Sequence, residues 1–350
     1  MYGYFSPYPD LSPHSLILNI LFQPICILER STYRNTNTLI NPFMKTLIYT
    51  LIAIYLVLPR EFIQAQIIDQ IPFELASDNR VYLKCKVNNS DTLRFLFDTG
   101  ATDMIMNPNS PRSTYSIQFD SQVTNNGATG TNLIQASSDN ELQLGNMQIK
   151  RLRFLSIPYP PNFWDGVIGL SFISQYPLKL DYDTKTLYVY ERSSFIPPKN
   201  AIALKIEYAL GVPLVPILVK VNNRIFNMKV EIDTGSDRVL DMNTPFVRQN
   251  DLLGTQSPFA ISRITSSDSN AGELQNVFFD EVRLGNMNFY KIPGAFSTVT
   301  EGVQASQEMD GVLGNNFLQR FNITLDLQNG YIYLEPNNLI YKPFYHFLIE

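Results

Sequence analysis

The chain has 350 residues, of which 45% are hydrophobic, so it can form two domains of ordinary size with substantial cores. A formal net charge of −5 argues against a nucleic-acid binder, which needs many Lys and Arg residues to neutralise phosphates. With only two cysteines and two histidines, the sequence offers no disulfide framework, no Ser-His or Cys-His catalytic pair and no multi-histidine metal site, so no metal or other cofactor is expected.

The first predicted element is a signal peptide that begins at Met44. Lys45 makes the start of this segment basic, and an almost entirely apolar run over residues 46–58 follows it. The small residue Ala65 stands at the expected cleavage point. Residues 44–65 are therefore predicted to be removed on export to the periplasm or the extracellular space. The alternative is a membrane anchor through residues 46–65, although the run is shorter than the roughly 20 residues that a span needs. Contact with a membrane is expected only if the segment stays uncleaved.

Residues 1–43 precede this signal and are rich in Tyr, Pro, Ser and Asn. Translation is expected to start at Met44, which would leave residues 1–43 as an upstream stretch outside the protein. A genuine cytosolic extension is the alternative. In either case the fold is expected to begin after residue 65.

From residue 66 onward the local patterns are mainly those of β-strands separated by turns. Strands are predicted in the first part of this region over residues 81–87, 93–97, 148–155, 178–182 and 186–190. Further strands are predicted over residues 214–221 and 225–232. Two short helices are predicted, over residues 170–176 and 315–320.

The tripeptide Asp-Thr-Gly occurs twice, beginning at Asp98 and at Asp233, each time after a strand-like run. Two carboxylates brought together can share one proton, because like charges at such a distance cannot both ionise. Such a pair can activate water, so Asp98 and Asp233 are the predicted catalytic residues. The glycines that follow, Gly100 and Gly235, let backbone N–H groups approach the carboxylates where a Cβ would crowd them.

The region after residue 65 is interpreted as a duplication. Further blocks recur in the same order, with residues 144–147 matching 284–287 and residues 165–169 matching 310–314. The predicted units are a first half over residues 66–195, a second half over residues 196–340 and a C-terminal tail over residues 341–350.

Each half resembles a subunit of the retropepsin-like aspartic proteases. The resemblance rests on Asp-Thr-Gly followed by Ala101 or Ser236, and on two apolar residues and a glycine before a short helix, at residues 167–169 and 312–314. With both copies in one chain, the arrangement is similar to the single-chain bacterial aspartyl proteases with two such halves. It implies a mainly β fold of two closed β-barrel halves related by pseudo-twofold symmetry, with one short helix per half.

The resemblance also implies how the site would work. Asp98 and Asp233 would face each other across the pseudo-twofold axis and hold one water, with no metal and no covalent intermediate. The hydroxyls of Thr99 and Thr234 would bond across the axis and lock the two loops. The expected partner is a polypeptide substrate in an extended conformation, and a monomer is expected because one chain carries both aspartates.

A flap over the substrate is predicted from family spacing. Its tip would be formed by Gly127, Ala128, Thr129 and Gly130, with an ordinary hairpin turn as the alternative. Residues 266–272 are the positional counterpart in the second half.

Four other residues carry narrower expectations. Asp165 and Asp310 are predicted to cap turns rather than to act in catalysis. Trp164, the only tryptophan, is expected either to pack in the core or to line a substrate pocket. Cys85 lies in a strand pattern and is expected to be a small buried apolar residue.

The function predicted from these features is that of an aspartic endopeptidase. The alternative is a non-catalytic peptide-binding module that has retained the cleft. A glycosidase also uses two carboxylates, but it holds them about 5 Å or more apart and does not require a twofold repeat.

Overall fold

The computed structural model describes residues 44, 46–50, 65–112, 117–265, 267–268 and 271–345. The contacts divide the chain into two units, Met1–Phe62 and Ile63–Glu350. In the first unit, Met44 and residues 46–50 are helical. The predicted extension over residues 1–43, most of the predicted signal peptide and residues 346–350 of the predicted tail lie outside the described residues. Among the described residues, no helix is both long and apolar enough to cross a membrane.

The second unit consists of two halves built mainly from strands. In the described part of the first half the elements are β1 (Ile67–Leu75), β2 (Val81–Val87), β3 (Leu93–Phe97), β4 (Met104–Met106), β5 (Ser121–Asn126), β6 (Thr131–Leu144), β7 (Met147–Ser156), β8 (Gly166–Ile168), α1 (Leu170–Ile173), β9 (Leu178–Asp181) and β10 (Thr186–Tyr190).

The described part of the second half repeats this order with small differences. Its elements are β11 (Ile202–Lys205), β12 (Glu207–Ala209), β13 (Val212–Val221), β14 (Arg224–Asp233), β15 (Leu240–Met242), α2 (Thr244–Gln249), β16 (Ala260–Thr265), β17 (Ala271–Leu284), β18 (Met287–Ser297), β19 (Gly311–Gly314), α3 (Asn315–Leu318), β20 (Phe321–Asp326) and β21 (Tyr331–Pro336).

Each half closes into a barrel of six strands. In the first half, β2 pairs with both β3 and β6, and the pairs β3–β8, β8–β4, β4–β7 and β7–β6 complete the ring. In the second half, β13 pairs with both β14 and β17, and the pairs β14–β19, β19–β15, β15–β18 and β18–β17 complete the ring. The predicted fold, mainly β with two closed barrels in a pseudo-twofold arrangement, is therefore confirmed.

A further set of six strands joins the two halves. Its order is β11-β21-β20-β9-β10-β1, so that each half contributes three strands. The central junction is the antiparallel pairing of β9 with β20, in which Leu178 lies opposite Leu325 and Leu180 opposite Ile323. We call this layer the shared sheet. Because all four of these side chains are fully buried, the sheet joins the halves through apolar packing as well as backbone hydrogen bonds.

The burial of the strands follows from their sequences. In β2, Cys85 and Val87 are buried while Lys84 and Lys86 are exposed, which is the alternation expected of a strand with one face on the core. The interpretation of Cys85 as a buried apolar residue is thus confirmed. The strand β3, which leads into the first Asp-Thr-Gly, is instead buried on both faces except at Arg94. A strand packed on both faces fixes the position of the residue that follows it.

The predicted helices are present but shorter than expected. The first ends at Ile173 rather than near residue 176, and the second ends at Leu318 rather than near residue 320. The second half also carries α2, which the sequence analysis did not include. That helix follows Asn243 and has Pro245 in its first turn, a combination that favours a helix start.

Candidate active site

The two Asp-Thr-Gly aspartates meet at the junction between the barrels. Asp98 directly follows β3, and its backbone N–H donates to the carbonyl of Ile168 at 3.0 Å. Asp233 is the last residue of β14, which has the same place in the second barrel as β3 has in the first. Both carboxyl groups are half-buried, line one cavity and lie close enough for each to shift the pKa of the other. The structure therefore brings together the two residues that the sequence analysis singled out.

Backbone amides of each loop point at its own aspartate. Gly100 N donates to Asp98 Oδ1 at 2.8 Å. In the second loop, Gly235 N and Ser236 N donate to Asp233 Oδ1 at 2.9 and 3.0 Å. These bonds orient the carboxyl groups and favour their charged forms.

Each glycine of the pair also packs against the opposite aspartate. A Cβ on Gly235 would collide with the carboxyl group of Asp98. A Cβ on Gly100 would lie 3.0 Å from Cγ of Asp233. The absence of a side chain at these two positions therefore allows the loops to approach until the carboxyl groups meet.

Thr99 and Thr234 lock the two loops together. Thr99 N donates to Thr234 Oγ1 at 3.1 Å, and Thr234 N donates to Thr99 Oγ1 at 3.0 Å. Each hydroxyl then donates to a carbonyl of the opposite strand, Thr99 to Ile232 and Thr234 to Phe97. Both threonines are fully buried. We call this reciprocal set of four bonds the threonine lock.

The surroundings push the two aspartates toward different protonation states. Burial raises the pKa of Asp98, but the Gly100 amide, the bond with Asp233 and the positive charge of Arg80 oppose that rise. Burial, the charge of Asp98 and the charge of Glu231 all raise the pKa of Asp233, well above its usual range. One proton can therefore stay on the pair after the other has left, and the positive charge of Arg80 near Asp98 and the negative charge of Glu231 near Asp233 favour Asp233 as its holder.

A third carboxyl group, that of Glu231, lies beside the pair and was missed in the sequence analysis. Its side chain is only 5% exposed. Burial and the charge of Asp98 raise the pKa of Glu231 to about 8. The available signal was an acid in an apolar strand, two residues before Asp233, where the first half has Leu96. Even with this third acid, the described residues hold no group of three His, Cys, Asp or Glu side chains placed to bind a metal ion.

Arg80 is a second residue that the sequence analysis missed. Its Nε donates to the carbonyl oxygen of Gly235 at 2.6 Å, and its guanidinium lies 3.4 Å from a carboxylate oxygen of Asp237. Arg80 precedes β2 of the first half, whereas both partners belong to the second Asp-Thr-Gly loop. The contact therefore ties the halves together beside the aspartates and places a positive charge where it favours ionisation of Asp98.

The predicted flap tip is the turn of the β5–β6 hairpin. Gly127 N donates to the carbonyl of Gly130 at 2.9 Å, which closes the turn. Asn126, Gly127 and Ala128 line the cavity that holds both aspartates. The hairpin turn and the carboxyl pair thus border the same cavity, and a flap at this turn stays a prediction.

The tip of this hairpin is bonded to the second half. Thr129 donates through its backbone N–H and its hydroxyl to the two carboxylate oxygens of Asp268, at 3.0 and 2.8 Å. Val303 N donates to the carbonyl of Gly127 at 2.9 Å, and Gly302, with φ of 76°, packs against the turn. In the predicted counterpart over residues 266–272, Ser267 and Asp268 are described and lie next to the hairpin, whereas residues 266, 269 and 270 lie outside the described residues.

Asp165 and Asp310 support the strands that carry the aspartates. Asp165 Oδ2 accepts the backbone N–H of Arg94 at 2.7 Å, and Asp310 Oδ2 accepts that of Lys229 at 2.8 Å. Arg94 and Lys229 have equivalent places in β3 and β14, so the two acids have the same structural task in the two halves. Both of the expectations for Trp164 hold in part, because it packs against three aromatic rings and also lines the cavity with the aspartates.

In a comparison with known protein families, one family model matches part of the chain. The family model described as "gag-polyprotein putative aspartyl protease" matches residues 83–175. The matched region contains Asp98, the predicted flap tip and the strand β8, and so covers much of the first half. No curated protein matches the chain.

Proposed function

We propose that the whole chain is an aspartic endopeptidase whose catalytic residues are Asp98 and Asp233, and the match of residues 83–175 to an aspartyl protease family model supports this. The observation that carries this proposal is the meeting of the two carboxyl groups in one cavity, between loops that the threonine lock holds together. The second aspartate lies outside the matched region and is supplied by a barrel with the same strand pairing.

The protonation states suggest a role for each aspartate. Ionised Asp98 takes a proton from a water molecule as its oxygen attacks the peptide carbonyl carbon, while protonated Asp233 gives its proton to the carbonyl oxygen. The product of this step is a neutral tetrahedral diol. When the diol collapses, the amide nitrogen receives the proton held by Asp98 and a diol proton returns to Asp233. The C–N bond breaks, a carboxylic acid and an amine leave, and the starting protonation states are restored.

The geometry favours this chemistry over that of a glycosidase. Glycosidase carboxyl pairs lie about 5 Å or more apart, because a sugar ring or a water must fit between them. The loops of Asp98 and Asp233 instead approach so closely that the glycine of each loop packs against the opposite carboxyl group. The turn of the β5–β6 hairpin also lines the cavity with the carboxyl pair, which suits an extended polypeptide held between them.

The test is digestion of a mixed peptide library by the purified full-length chain across a pH series, read by mass spectrometry. The Asp98→Asn and Asp233→Asn variants are run beside it, and Asp91→Asn, which changes an exposed aspartate on the β2–β3 turn, is the matched control. Circular dichroism and thermal melts establish that every variant is folded. We expect the wild type and the control to produce the same cuts and both site variants to lose them by at least 10²-fold.

Two outcomes would contradict the proposal. If a site variant retains a near-normal rate, the dyad mechanism is wrong. If a well-folded wild type makes no cut at any pH, the protein is better described as a peptide-binding module that has kept the cleft.

We also propose that the enzyme is exported, with membrane anchoring through residues 46–65 as the alternative. Three features support this proposal: the basic residue Lys45, the apolar run over residues 46–58 and the small residue Ala65. N-terminal sequencing of the protein recovered from cells and medium tests it. An N-terminus at Gln66 is expected, and an intact N-terminus in the membrane fraction would favour the anchor.

A further inference from the structure

The side chain of Glu231 lies against the carboxyl pair. Glu231 and Asp233 are two residues apart on β14, so their side chains leave the same face of the strand. Glu231 Oε1 would lie 2.8 Å from a Cβ on Gly100, which places it next to the first Asp-Thr-Gly loop. The third carboxyl group therefore stands within the site and not behind it.

This carboxyl group has no partner that would compensate for its burial. Among the described residues, only burial and the negative charge of Asp98 act on its pKa, and no hydrogen bond or positive charge contributes. A buried acid without a bonding partner is costly, and natural folds rarely keep one without a use for it.

The fold itself does not require an acid at this position. The equivalent residue of the first half, two positions before Asp98 on β3, is Leu96, which is 2% exposed and also lines the cavity. An apolar side chain therefore fits the matched place in the other barrel. The acid on β14 is a departure from the repeat and calls for a functional explanation.

Glu231 faces the cleft on both sides of the carboxyl pair. It lines a cavity of about 440 Å³ that extends toward Asp103 and Arg153, and a second cavity of about 230 Å³ that extends toward Arg80. Asp98 also borders both cavities. A group that touches both cavities beside this aspartate is placed to contact the substrate residues next to the bond that is cut.

The walls of both cavities are acidic. Acidic side chains outnumber basic ones by three to one around the first cavity and by five to two around the second. The basic side chains already have carboxylate partners, since Arg153 pairs with Asp103, Arg80 with Asp237, and Arg238 with Asp241. A cation brought by the substrate would therefore find Glu231 without a competing partner.

We propose that Glu231 is a specificity-determining residue that selects a lysine or arginine side chain at a substrate position adjoining the scissile bond. This inference rests on the proposed endopeptidase function. The incoming ammonium or guanidinium group supplies the opposite charge that the buried carboxyl group lacks, and Glu231 releases its proton to the solvent as the ion pair forms.

The test measures relative rates within one peptide mixture, so that a general loss of activity cancels. The peptides differ only in having Lys, Gln, Leu or Glu at either of the two positions that flank the cut. The wild type, Glu231→Gln, Glu231→Leu and the exposed control Glu308→Gln are compared by mass spectrometry. We expect the wild type and the control to prefer Lys over Leu at one position by at least tenfold, Glu231→Gln to lose this preference, and Glu231→Leu to reverse it.

The outcomes separate this inference from the endopeptidase proposal. If the wild type cuts with the same Lys-to-Leu ratio as Glu231→Leu, or if both Glu231 variants change only the pH dependence of cutting, the specificity inference is wrong while the protease stands. If the wild type cuts nothing, the proposed function itself fails.

Binding of the Lys and Leu peptides to Asp98→Asn, with and without Glu231→Leu, is followed through the fluorescence of Trp164 and gives an answer independent of turnover. Equal affinities for the two peptides would overturn the inference.

Discussion

The threonine lock holds the two aspartates together through side chains that are fully buried. Each threonine hydroxyl accepts a hydrogen bond from the backbone N–H of its counterpart and donates one to a carbonyl of the opposite strand. Two charged side chains near the pair then influence its charge. Glu231 raises the pKa of Asp233, whereas Arg80 opposes the rise in the pKa of Asp98. At the scale of single residues, buried hydrogen bonds thus fix the positions of the aspartates, and neighbouring charges tune their pKa values.

Replacing Thr99 by valine tests the lock. The substitution keeps the shape of the side chain but leaves the amide of Thr234 and the carbonyl of Ile232 without partners in a dry interior. A loss of roughly 1–3 kcal/mol of unfolding free energy is expected for each orphaned group. The measurement is urea denaturation, and Thr99→Ser, which retains the hydroxyl, is the control. Equal stability of the valine and serine variants would show that these bonds contribute nothing.

The raised carboxyl pKa values predict how stability depends on pH. Glu231 has a pKa of about 8 in the folded chain, against an ordinary value of about 4.3. Between these values the folded state holds a proton that the unfolded chain has released. The contribution of Glu231 to stability is therefore fully present below about pH 4 and is lost as the pH rises toward about 8.

The matching experiment follows urea unfolding of the wild type and Glu231→Gln at pH 4, 6 and 8. We expect the variant to gain stability over the wild type between pH 4 and pH 8, because glutamine has no charge to bury. Glu308→Gln should follow the wild type at every pH. Parallel curves for the wild type and Glu231→Gln would contradict the raised pKa.

At the scale of elements, the sequence predicted the strands that lead to the site better than the loops around it. The strands over residues 81–87 and 93–97 were predicted to the residue, since alternation and turn residues mark their ends. Glu231 had only a weak local signal, an acid at the place where the first half has Leu96. Arg80 was missed because its contacts cross from one half to the other, and no local pattern reports such contacts. For the same reason, the pairing of β9 with β20 could not be read from either strand alone.

The β5–β6 hairpin is the element whose movement can be tested most directly. Asp268 accepts two hydrogen bonds from Thr129 at the tip, so Asp268→Ala should loosen the tip from the second half. We expect at least tenfold faster amide hydrogen exchange at residues 127–130 and a higher KM for peptides. Thr129→Ser, which keeps the hydroxyl, is the control for the exchange measurement. Exchange at the wild-type rate in Asp268→Ala would mean that these bonds do not hold the hairpin.

At the scale of the whole molecule, the shared sheet makes the two barrels one structural unit. Three strands from each half form this sheet, and the Asp-Thr-Gly loops of both halves are joined beside it by the threonine lock and by Arg80. We therefore propose that the protein works as a monomer in which neither half forms the site alone.

Dilution tests this proposal. Specific activity is expected to stay constant from micromolar to picomolar enzyme, because one chain carries both aspartates and no association equilibrium completes the site. Thermal unfolding should occur in a single transition with a midpoint that does not depend on concentration. A fall in specific activity on dilution would instead indicate an obligate dimer.

A site built from two identical halves offers the same surface to a peptide whichever way its N-terminus points. In this chain, Leu96 occupies the place on β3 that Glu231 occupies on β14, so the two flanks of the carboxyl pair differ in charge. A peptide and the same peptide laid in reverse therefore meet different neighbours. A dimer of identical subunits cannot hold such a difference in its sequence, whereas a single chain can. The cleft consequently has a polarity, and each substrate is expected to be cut in one orientation rather than in two that a twofold rotation relates.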